Sequence, residues 1–333
     1  MSGYSARILA DSVSPDGNRL TTMEVVIPRP VLAEFNTHRM LSRNSASSRA
    51  IPVEKQIEFV LTDPYIPEKF GINQAGMQSA KFLEGSRHED AVHNVLIKRD
   101  RAVLGALEDL FGRDGVLEYI SRNRQSRILL DGMEDEDRAA VRAMLVDYKA
   151  FQKALRSDPD FTKRLPASFL GIHKQTLNRY LEPFLWQTII TSATEWVNFL
   201  NLRDHADAQH DIAEPARLMR EALNASTPVE LDYGQWHLPL VQEDEKHLVS
   251  DDVELWKRIS SGRCARVSYL THDGVRDLAK DAELCDSLIK GWHMSPLEHP
   301  ATPVRPDYTG DTGNFVGWLQ HRKEIQDEAV FPG

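Results

Sequence analysis

The sequence predicts a mixed fold of helices and strands, of the α/β or α+β class. Residues 20–28, LTTMEVVIP, are rich in β-branched side chains and end at a proline, as is typical of a strand. Residues 91–111 and 135–155 instead carry apolar side chains at helical spacing. The two periodicities together indicate that the chain contains both strands and helices.

Length, composition and charge restrict the class of protein. The 333 residues are 41% hydrophobic, enough for a large core, and carry a net charge of −10. An acidic chain is not expected to bind a nucleic acid polymer, although a few converging arginines could hold a nucleotide-sized anion. No stretch approaches the roughly 18 apolar residues of a membrane span, so no membrane association is expected. Two cysteines, Cys264 and Cys285, cannot build a disulfide framework, and we expect a reducing, cytoplasmic setting.

The N-terminal and central elements follow from proline positions and apolar spacing. Pro28 and Pro30 suit the first turn of a helix, which is predicted over about 30–42. The polar residues after it are expected to end that helix and form a loop. Residues 50–90 are expected to be mainly loop, and residues 172–224 helical with interruptions.

The last third of the chain is predicted from helix-breaking residues. Pro215 is expected to kink its helix or to begin the next one. The segment CARVSY, residues 264–269, fits either a helix or a strand. Residues 277–293 predict a helix that ends at Gly291, and NFVGWLQHRKEI, residues 314–325, predicts a short final helix or strand.

The segment NTHRMLSRNSASSRAIP, residues 36–52, concentrates donors for anionic oxygens. It holds three arginines, four serines, two asparagines and one histidine. The arginine guanidinium matches phosphate geometry, and serine and asparagine add neutral donors. The alternative is a solvated helix end followed by a serine-rich turn. Composition alone leaves both interpretations open.

The segment DHADAQHD, residues 204–211, supports a separate metal-site hypothesis. On a helix, Asp207 would share a face with His210 and Asp211, three and four residues later. The His210-Asp211 pair also resembles the His-Asp pair of metal-dependent phosphohydrolases. The alternative is a polar helix face without a ligand.

Motifs for a protein nucleophile or a dinucleotide-binding loop are absent from the sequence. It contains no Gly-x-Gly-x-x-Gly, Walker loop or Gly-x-Ser-x-Gly elbow, and neither cysteine has an activating neighbour in sequence. The segment HMSPLEH, residues 293–299, has its histidines too far apart for a helical zinc motif, and Pro296 interrupts a helix there. If the chain is an enzyme, a bound cofactor is the expected source of reactivity.

Three separate segments share the pattern of one enzyme family. THRMLSRNSASSR (37–49) follows R-H-R-x-x-S-x-N-x-x-S-x-R at every fixed position except the first. NRYLEP (178–183) and WVNFLNLRDHADAQHDIAEPA (196–216) are similar to R-x-x-L-P and N-F-L-x-L-R…A-Q-x-E-I. ARVSY (265–269) and GWHMSPLEH (291–299) are similar to A-R-V-S/C-Y and G-H-x-S/T-P-x-E-H. By these segments the chain resembles the flavin-dependent thymidylate synthases, often called ThyX.

The order of the segments differs from that of the family. There the A-R-V-S-Y and S-P-x-E-H segments precede R-H-R, whereas here they follow it, which indicates a circular permutation. The resemblance implies a ThyX-like mixed sheet with flanking helices in a single catalytic domain over residues 1–333. An extra segment at approximately 60–165 is expected to be an inserted, mainly helical subdomain.

The resemblance also implies a reaction. The family transfers a one-carbon unit from methylenetetrahydrofolate to carbon five of dUMP and so makes dTMP. FAD, reduced by NADPH, carries the hydride, and no enzyme cysteine attacks the base. The family is homotetrameric, with active sites shared between subunits. The expected cofactors and partners are therefore FAD, NADPH, methylenetetrahydrofolate, a pyrimidine deoxynucleotide monophosphate and further copies of the chain.

The family's functional positions transfer to individual residues of this sequence. The positions that bind the flavin match His38, Arg39, Met40, Asn44, Ser268, Ser295 and Glu298. The residues expected to bind the nucleotide are Glu34, Ser45, Ser47, Arg49, Arg179, Arg203 and, as an added hypothesis, Arg322. Arg203 and Ser47 are the expected catalytic residues, and no metal ligand is expected.

Four positions depart from the family pattern. Thr37 replaces an arginine that reaches the nucleotide, Ser45 replaces a glutamate, and Glu34 replaces a glutamine. Asp207 stands where the family often has a histidine near the flavin. Arg322 is the hypothetical source of the positive charge missing at position 37.

Three alternatives to a thymidylate synthase stay open, and the changes at Glu34, Thr37 and Ser45 leave room for the first. One keeps the fold but hydroxymethylates deoxyuridylate or methylates deoxycytidylate. Another is a metal-dependent nucleotide phosphohydrolase that uses His210 and Asp211. The third is a non-catalytic nucleotide- or flavin-binding protein. Product mass, bound metal and turnover distinguish them.

Overall fold

The computed structural model of the chain describes residues 3–76, 79, 81–112, 171–245, 252–269, 271, 274 and 276–325. In chain order the helices are α1 (Leu32–Asn36), α2 (Val53–Thr62), α3 (Ser86–Phe111), α4 (Lys174–Leu181), α5 (Val197–Arg203), α6 (His210–Ala225), α7 (Val253–Ala265) and α8 (Leu278–Lys290). The strands are β1 (Ser5–Val13), β2 (Arg19–Pro28), β3 (Ser42–Ser45), β4 (Trp186–Ala193), β5 (Val229–Glu230), β6 (Ala301–Pro303) and β7 (Trp318–Gln320). Short 3-10 turns lie at Arg29–Val31, Glu182–Phe184, Glu243–Glu245, Arg266–Tyr269, Ser295–Glu298 and His321–Glu324.

The described residues form two compact units. The helical unit lies within Ser48–Trp186, and the sheet unit is made of Gly3–Ser47 together with the part of the chain from Gln187 onward. The predicted insertion boundaries at 60 and 165 stay a prediction. The predicted helix at 135–155 lies outside the described residues.

The helical unit packs α2, α3 and α4 around one apolar core. Val53, Ile57, Val60 and Leu61 lie along one side of α2, which is the spacing of an amphipathic helix. The expectation of loop over 50–90 is therefore wrong for this stretch, and the apolar spacing was the signal for it. The predicted helix at 91–111 is confirmed within the longer α3.

The sheet unit has a five-stranded mixed sheet in the order β3-β4-β2-β1-β5. β1 and β2 are antiparallel, β3 and β4 are antiparallel, and β1 and β5 are parallel. The predicted strand at 20–28 is confirmed as β2, and β6 and β7 form a separate antiparallel pair. The mixed helix and strand class predicted from the sequence is confirmed.

Both faces of this sheet are covered, because successive side chains of a strand point to opposite faces. On β4, Ile189 packs with α1, α5 and α6, whereas Ile190 packs with Cys264 at the end of α7. We call the first side the pocket face and the second the histidine face, after His237 and His299 on that side. No described helix is long and apolar enough to cross a membrane.

Two predictions around the polar stretch are wrong. The helix predicted over about 30–42 stops at Asn36, and the stretch that follows contains the strand β3 rather than only a loop. Residues 186–193, inside the predicted helical segment 172–224, form β4. β3 pairs with β4 over Ser42–Ser45, and β4 also neighbours β2, so the conformation of β3 depends on a partner that is distant in sequence. Single-residue propensities do not report such a distant partner.

Three predictions near the C-terminal half are settled by the helix boundaries. Pro215 lies inside α6, which begins five residues earlier, at His210. CARVSY is helical, because it spans the last turn of α7 and the 3-10 turn after it. The segment 314–325 holds both of the predicted types, a short strand and a 3-10 turn.

Candidate active site

A turn of five residues, 37–41, connects α1 to β3 and forms the centre of the site; we call it the signature turn. The backbone N–H of Thr37 donates to the Glu34 carbonyl at 3.2 Å, and that of Leu41 donates to the His38 carbonyl at 3.2 Å. Leu41 is buried, while Arg39 and Met40 are exposed, Met40 by 44%. The turn therefore anchors one apolar side chain and presents the next residues outward.

His38 is held between the signature turn and α5. Nε of Arg203 donates to Nε2 of His38 at 2.9 Å, and the His38 ring packs edge-on against Phe199 with centroids 4.9 Å apart. Burial, together with the charges of Arg203 and Arg43, lowers the pKa of His38. The imidazole is therefore neutral at pH 7, with Nε2 as the acceptor and the proton on Nδ1.

An open pocket of about 770 Å³ lies between the signature turn and α5. Its size falls within the range of roughly 300–1,000 Å³ that is usual for sites of small molecules and cofactors. Its walls combine amide and guanidinium donors with exposed apolar side chains. The lining residues are Thr37, His38, Arg39, Met40, Leu41, Thr194, Glu195, Val197, Asn198, Phe199, Asn201, Leu202 and Arg203.

Segments from the C-terminal third meet β3 and the residues just after it. Nδ2 of Asn44 donates to the Cys264 carbonyl at 2.6 Å, and the Ser295 hydroxyl lies 3.4 Å from Oδ1 of Asn44. The Ser47 N–H donates to the Ser268 carbonyl at 3.3 Å. The structure thus brings the signature segment together with two C-terminal motif segments, each more than 200 residues away from it in sequence.

Glu298 and Arg322, both predicted site residues, form an ion pair with each other. The Glu298 carbonyl also accepts from the side-chain amide of Gln320 at 3.0 Å. The positive charge of Arg322 is therefore balanced by a carboxylate of the same region. Its role toward a nucleotide, as the substitute for an arginine at position 37, stays a prediction.

The remaining predicted nucleotide residues lie in different surroundings. Arg49 is exposed and Arg179 donates to Glu182 at 2.9 Å, and both belong to the helical unit. Ser45 is half-buried on β3. Glu34 is half-buried on α1, and its Oε2 is buried with no hydrogen-bond partner among the described residues. None of these contacts tests a role in binding.

The metal-site hypothesis required Asp207, His210 and Asp211 to share one helix face, and the structure contradicts this. Asp207 lies in the connection between α5 and α6, so it does not share a helix face with His210 and Asp211. Asp211 is buried and accepts hydrogen bonds from the hydroxyl of Tyr4 at 3.0 Å and the amide of Gln209 at 2.7 Å. The described part of the chain contains no group of three or more His, Cys, Asp and Glu residues placed to hold a metal ion.

Both cysteines are buried and free. Burial raises the pKa of the Cys264 thiol far above its ordinary value, and burial followed by the charge of Asp286 raises that of Cys285 to about 11. A thiol in such surroundings does not ionise near pH 7, and only the thiolate is an effective nucleophile. Neither cysteine is therefore placed for nucleophilic catalysis.

Sequence reasoning missed Arg43, which lies inside the signature at a position where the family pattern fixes no residue. Nη1 of Arg43 donates to the backbone carbonyls of the signature turn and of the end of α1. No local sequence pattern predicts such a contact. Asn198 and Asn201 were also missed, although both lie within the segment that matches the family helix.

Comparison with known proteins gives one family. The family model described as "Thy1: Thymidylate synthase complementing protein" matches residues 19–229, which is more than half of the chain. The match includes the signature turn and α5 and ends before the C-terminal segments that contact β3. No curated protein matches the chain.

Proposed function

The chain belongs to the family of thymidylate synthase complementing proteins, and we propose that it is a flavin-dependent thymidylate synthase acting on dUMP. In this reaction a one-carbon unit from methylenetetrahydrofolate is added to carbon five of the pyrimidine and reduced to give dTMP. The observation that carries the proposal is the pocket walled by the signature turn and α5, with the His38–Arg203 contact between them.

The residues around the pocket fit a flavin. Met40, Val197 and Leu202 expose 44%, 71% and 57% of their surface, so an apolar ring system would cover side chains that now face solvent. Guanidinium and amide donors of the same wall suit the polar edge of a ring and a diphosphate. His38, Arg39 and Met40, which line this pocket, would hold FAD, whereas the predicted flavin residues Asn44, Ser268, Ser295 and Glu298 lie outside its wall and their role toward FAD stays a prediction. When bound, FAD supplies a hydride from NADPH, which no side chain of the protein can supply.

Arg203 is the residue that we propose to act on the nucleotide. Its Nε is committed to His38, which fixes the plane of the guanidinium, and the side chain lines the pocket. A fixed guanidinium stabilises negative charge that develops on a pyrimidine carbonyl oxygen as carbon five becomes nucleophilic. Because His38 is neutral, it accepts this hydrogen bond without opposing the charge of Arg203.

In this proposal Ser47, Arg49 and Arg179 supply hydrogen-bond donors. Ser47 offers a hydroxyl next to Ser268 and β3. The guanidinium groups of Arg49 and Arg179 are of the type that binds phosphate. The family's use of NADPH and its homotetrameric assembly are proposed for this chain on the same basis, and a cytoplasmic location is proposed from its two cysteines.

Glu34, which replaces a glutamine of the family pattern, leaves room for a second candidate, methylation of deoxycytidylate. A carboxylate only accepts hydrogen bonds and therefore pairs with a donor. The exocyclic amine of cytosine is such a donor, whereas uracil has a carbonyl at the corresponding position. The two candidates share the fold and the flavin and differ in the base.

The test begins with the purified protein and added FAD, followed by its visible flavin absorbance after gel filtration. Reduced protein is then given methylenetetrahydrofolate with dUMP or dCMP, and the product mass is measured. A methyl increment on dUMP supports the main proposal, and the same increment on dCMP selects the second candidate. A hydroxymethyl increment on either base contradicts both reductive methylations.

Variants make the same test specific for the pocket. Arg39→Ala removes an exposed side chain of the signature turn, and Arg203→Met removes the guanidinium that contacts His38. We expect both to weaken FAD retention or turnover by about tenfold or more, the size expected for lost charge-assisted contacts. Arg217→Met is the matched control, because Arg217 is an exposed arginine on α6 that pairs with Glu214 and Glu221. A colourless wild-type protein that ignores FAD would overturn the proposal.

A further inference from the structure

The two sides of β3 contact different parts of the sheet unit. Ser42 and Asn44 are buried and bond to the C-terminal third, Ser42 through Gln320 at 3.0 Å and Asn44 through Cys264. Arg43 lies between them and points the other way, toward the signature turn. Alternation along a strand explains this division, since neighbouring side chains face opposite sides.

The Arg43 guanidinium bonds to three backbone carbonyls. Its Nη1 donates to Asn36 at 2.9 Å, to His38 at 3.0 Å and, more weakly, to Phe35 at 3.4 Å. Two of these carbonyls end α1, where helical carbonyls lack partners and carry partial negative charge. One cation therefore closes the helix and fixes the first residues of the turn.

The third carbonyl belongs to His38, whose side chain contacts Arg203. His38 is thus held through its main chain by Arg43 and through its ring by Arg203 and Phe199. These contacts come from β3 on one side and α5 on the other. If the contact from Arg43 on β3 were lost, the signature turn could move, and the His38 ring would keep only its contacts with α5.

Arg43 also contributes positive charge near position 37, where Thr37 replaces the arginine of the family signature. Position 37 lacks the guanidinium of the family signature, and the charge of Arg322 is paired with Glu298. Arg43 brings a half-buried guanidinium to the same turn, and its charge acts on His38 together with that of Arg203. Glu298 attracts Arg43 as well.

We propose that Arg43 is a positioning residue of the active site, which fixes the signature turn and holds His38 against Arg203. This inference rests on the proposed function for its catalytic meaning, although the contacts exist without any ligand. Lysine is not expected to replace arginine fully at this position, because its ammonium is a more strongly hydrated charge on a more flexible side chain than the guanidinium.

Two variants separate charge from position. Arg43→Met removes both the charge and the hydrogen-bond donors, whereas Arg43→Lys keeps the charge but not the guanidinium group. His38 is followed by NMR in ligand-free protein labelled on its histidine rings, with His38→Gln to assign the signal. We expect the titration midpoint of His38 to rise by about one pH unit in Arg43→Met, because a nearby cation that disfavours the charged imidazole is lost. In Arg43→Lys a smaller rise is expected.

Cofactor affinity is the second measurement. FAD should bind about tenfold or more weakly to Arg43→Met, by an intermediate factor to Arg43→Lys, and within about twofold of wild type to the Arg217→Met control. If Arg43→Met folds poorly, Arg43→Lys carries the comparison. A His38 midpoint and an FAD affinity both unchanged in a folded Arg43 variant would overturn the proposal. If wild-type protein binds no FAD, the proposed function fails, and the His38 titration still decides the role of Arg43.

Discussion

The pocket face and the histidine face of the sheet use the same polar residue types in opposite surroundings. On the pocket face, His38 and Arg203 contact each other at the edge of an open pocket, and Arg39 beside them is exposed. On the histidine face, His237 and His299 are fully buried. The first arrangement leaves donors facing a space that a ligand can enter. The second satisfies most of its polar atoms internally and therefore contributes to folding rather than to binding.

The histidine face contains a continuous chain of hydrogen-bonded side chains. His237 joins Ser12 at 2.9 Å and Thr22 at 2.8 Å. Thr22 joins Ser192 at 2.6 Å, and Ser192 joins His299 at 2.8 Å. This chain links β1, β2 and β4 through side chains. Burial lowers the pKa of both histidines to about 3, so both are neutral at physiological pH.

The largest effect is expected from removing the buried charge of Arg263, on α7. Arg263 bonds to Asp281 at 2.8 Å and to Glu245 at 2.6 and 2.8 Å, and all three side chains are buried. Arg263→Met leaves two buried carboxylates without this partner and should lower the free energy of unfolding by about 3–5 kcal/mol. Urea unfolding measures this loss.

The matched control for that variant is Arg258→Met. Arg258 on α7 pairs with Asp286 on α8 at the surface, and such exposed pairs contribute about 1 kcal/mol or less. Equal losses in the two variants would contradict the distinction between buried and exposed arginines. By the same reasoning Arg203→Met, at the open pocket, should affect stability less than Arg263→Met.

Acid should destabilise the histidine face before the pocket face. In the folded protein His237 and His299 have pKa values of about 3, against an ordinary value of 6.5. Between these values the unfolded chain binds more protons, so stability is fully present above pH 6.5 and falls as the pH drops. The slope is about 1.4 kcal/mol per pH unit for each histidine, or about 2 kcal/mol each at pH 5.

The measurement is the free energy of unfolding at pH 7 and pH 5. His237→Gln should reduce the difference between the two pH values by about 2 kcal/mol, the share of one histidine. His38→Gln should reduce it less, because His38 is only half-buried. A stability that is independent of pH over this range would show that the buried histidines are not held neutral.

The smallest effect concerns how two helices end. Arg43 closes α1, whereas α8 closes with a backbone motif in which Trp292 N–H donates to the Ile289 carbonyl and His293 N–H to the Leu288 carbonyl. The residue at the left-handed position is usually glycine, and here it is Trp292, with φ 57°. The predicted stop at Gly291 is confirmed, because Gly291 is the C-cap of α8 with φ −87°, and the left-handed residue is the next one.

Replacing Trp292 tests this backbone strain. Trp292→Gly removes the side chain and the strain, whereas Trp292→Ala removes the side chain and keeps most of the strain. We expect the glycine variant to be more stable than the alanine variant by about 1 kcal/mol. Thermal and urea unfolding of the pair measure the difference. If alanine equals glycine, the left-handed conformation at position 292 is relaxed in solution.

Local sequence signals predicted the elements that have a strong periodicity. The β-branched run at 20–28 forms β2, the apolar stripe at 91–111 lies in α3, and the helix at 277–293 is α8 with Asp277 as its N-cap. The signature segment was a candidate for anion binding from its residue types, and residues 37–41 of it line the pocket; its binding role stays a prediction. In each case the information resides within a few turns of the chain.

The errors occurred where a distant partner decides the conformation. SRNS has little intrinsic preference for a strand, and it forms β3 because β4 supplies its hydrogen bonds. Asp207, His210 and Asp211 were expected to share a helix face, yet residues 204–209 connect two helices. The lesson is that polar segments report their chemistry in sequence but not their geometry.

The sequence by itself determined the chemical types at the site, the periodic helices and the strand β2, because these depend on side chains close along the chain. Only the tertiary structure decided that Arg43 closes α1, that His38 meets Arg203, and that segments more than 200 residues apart converge on β3. Such contacts require the intervening chain to close long loops, and the free energy for this comes from packing both faces of the sheet rather than from local preference.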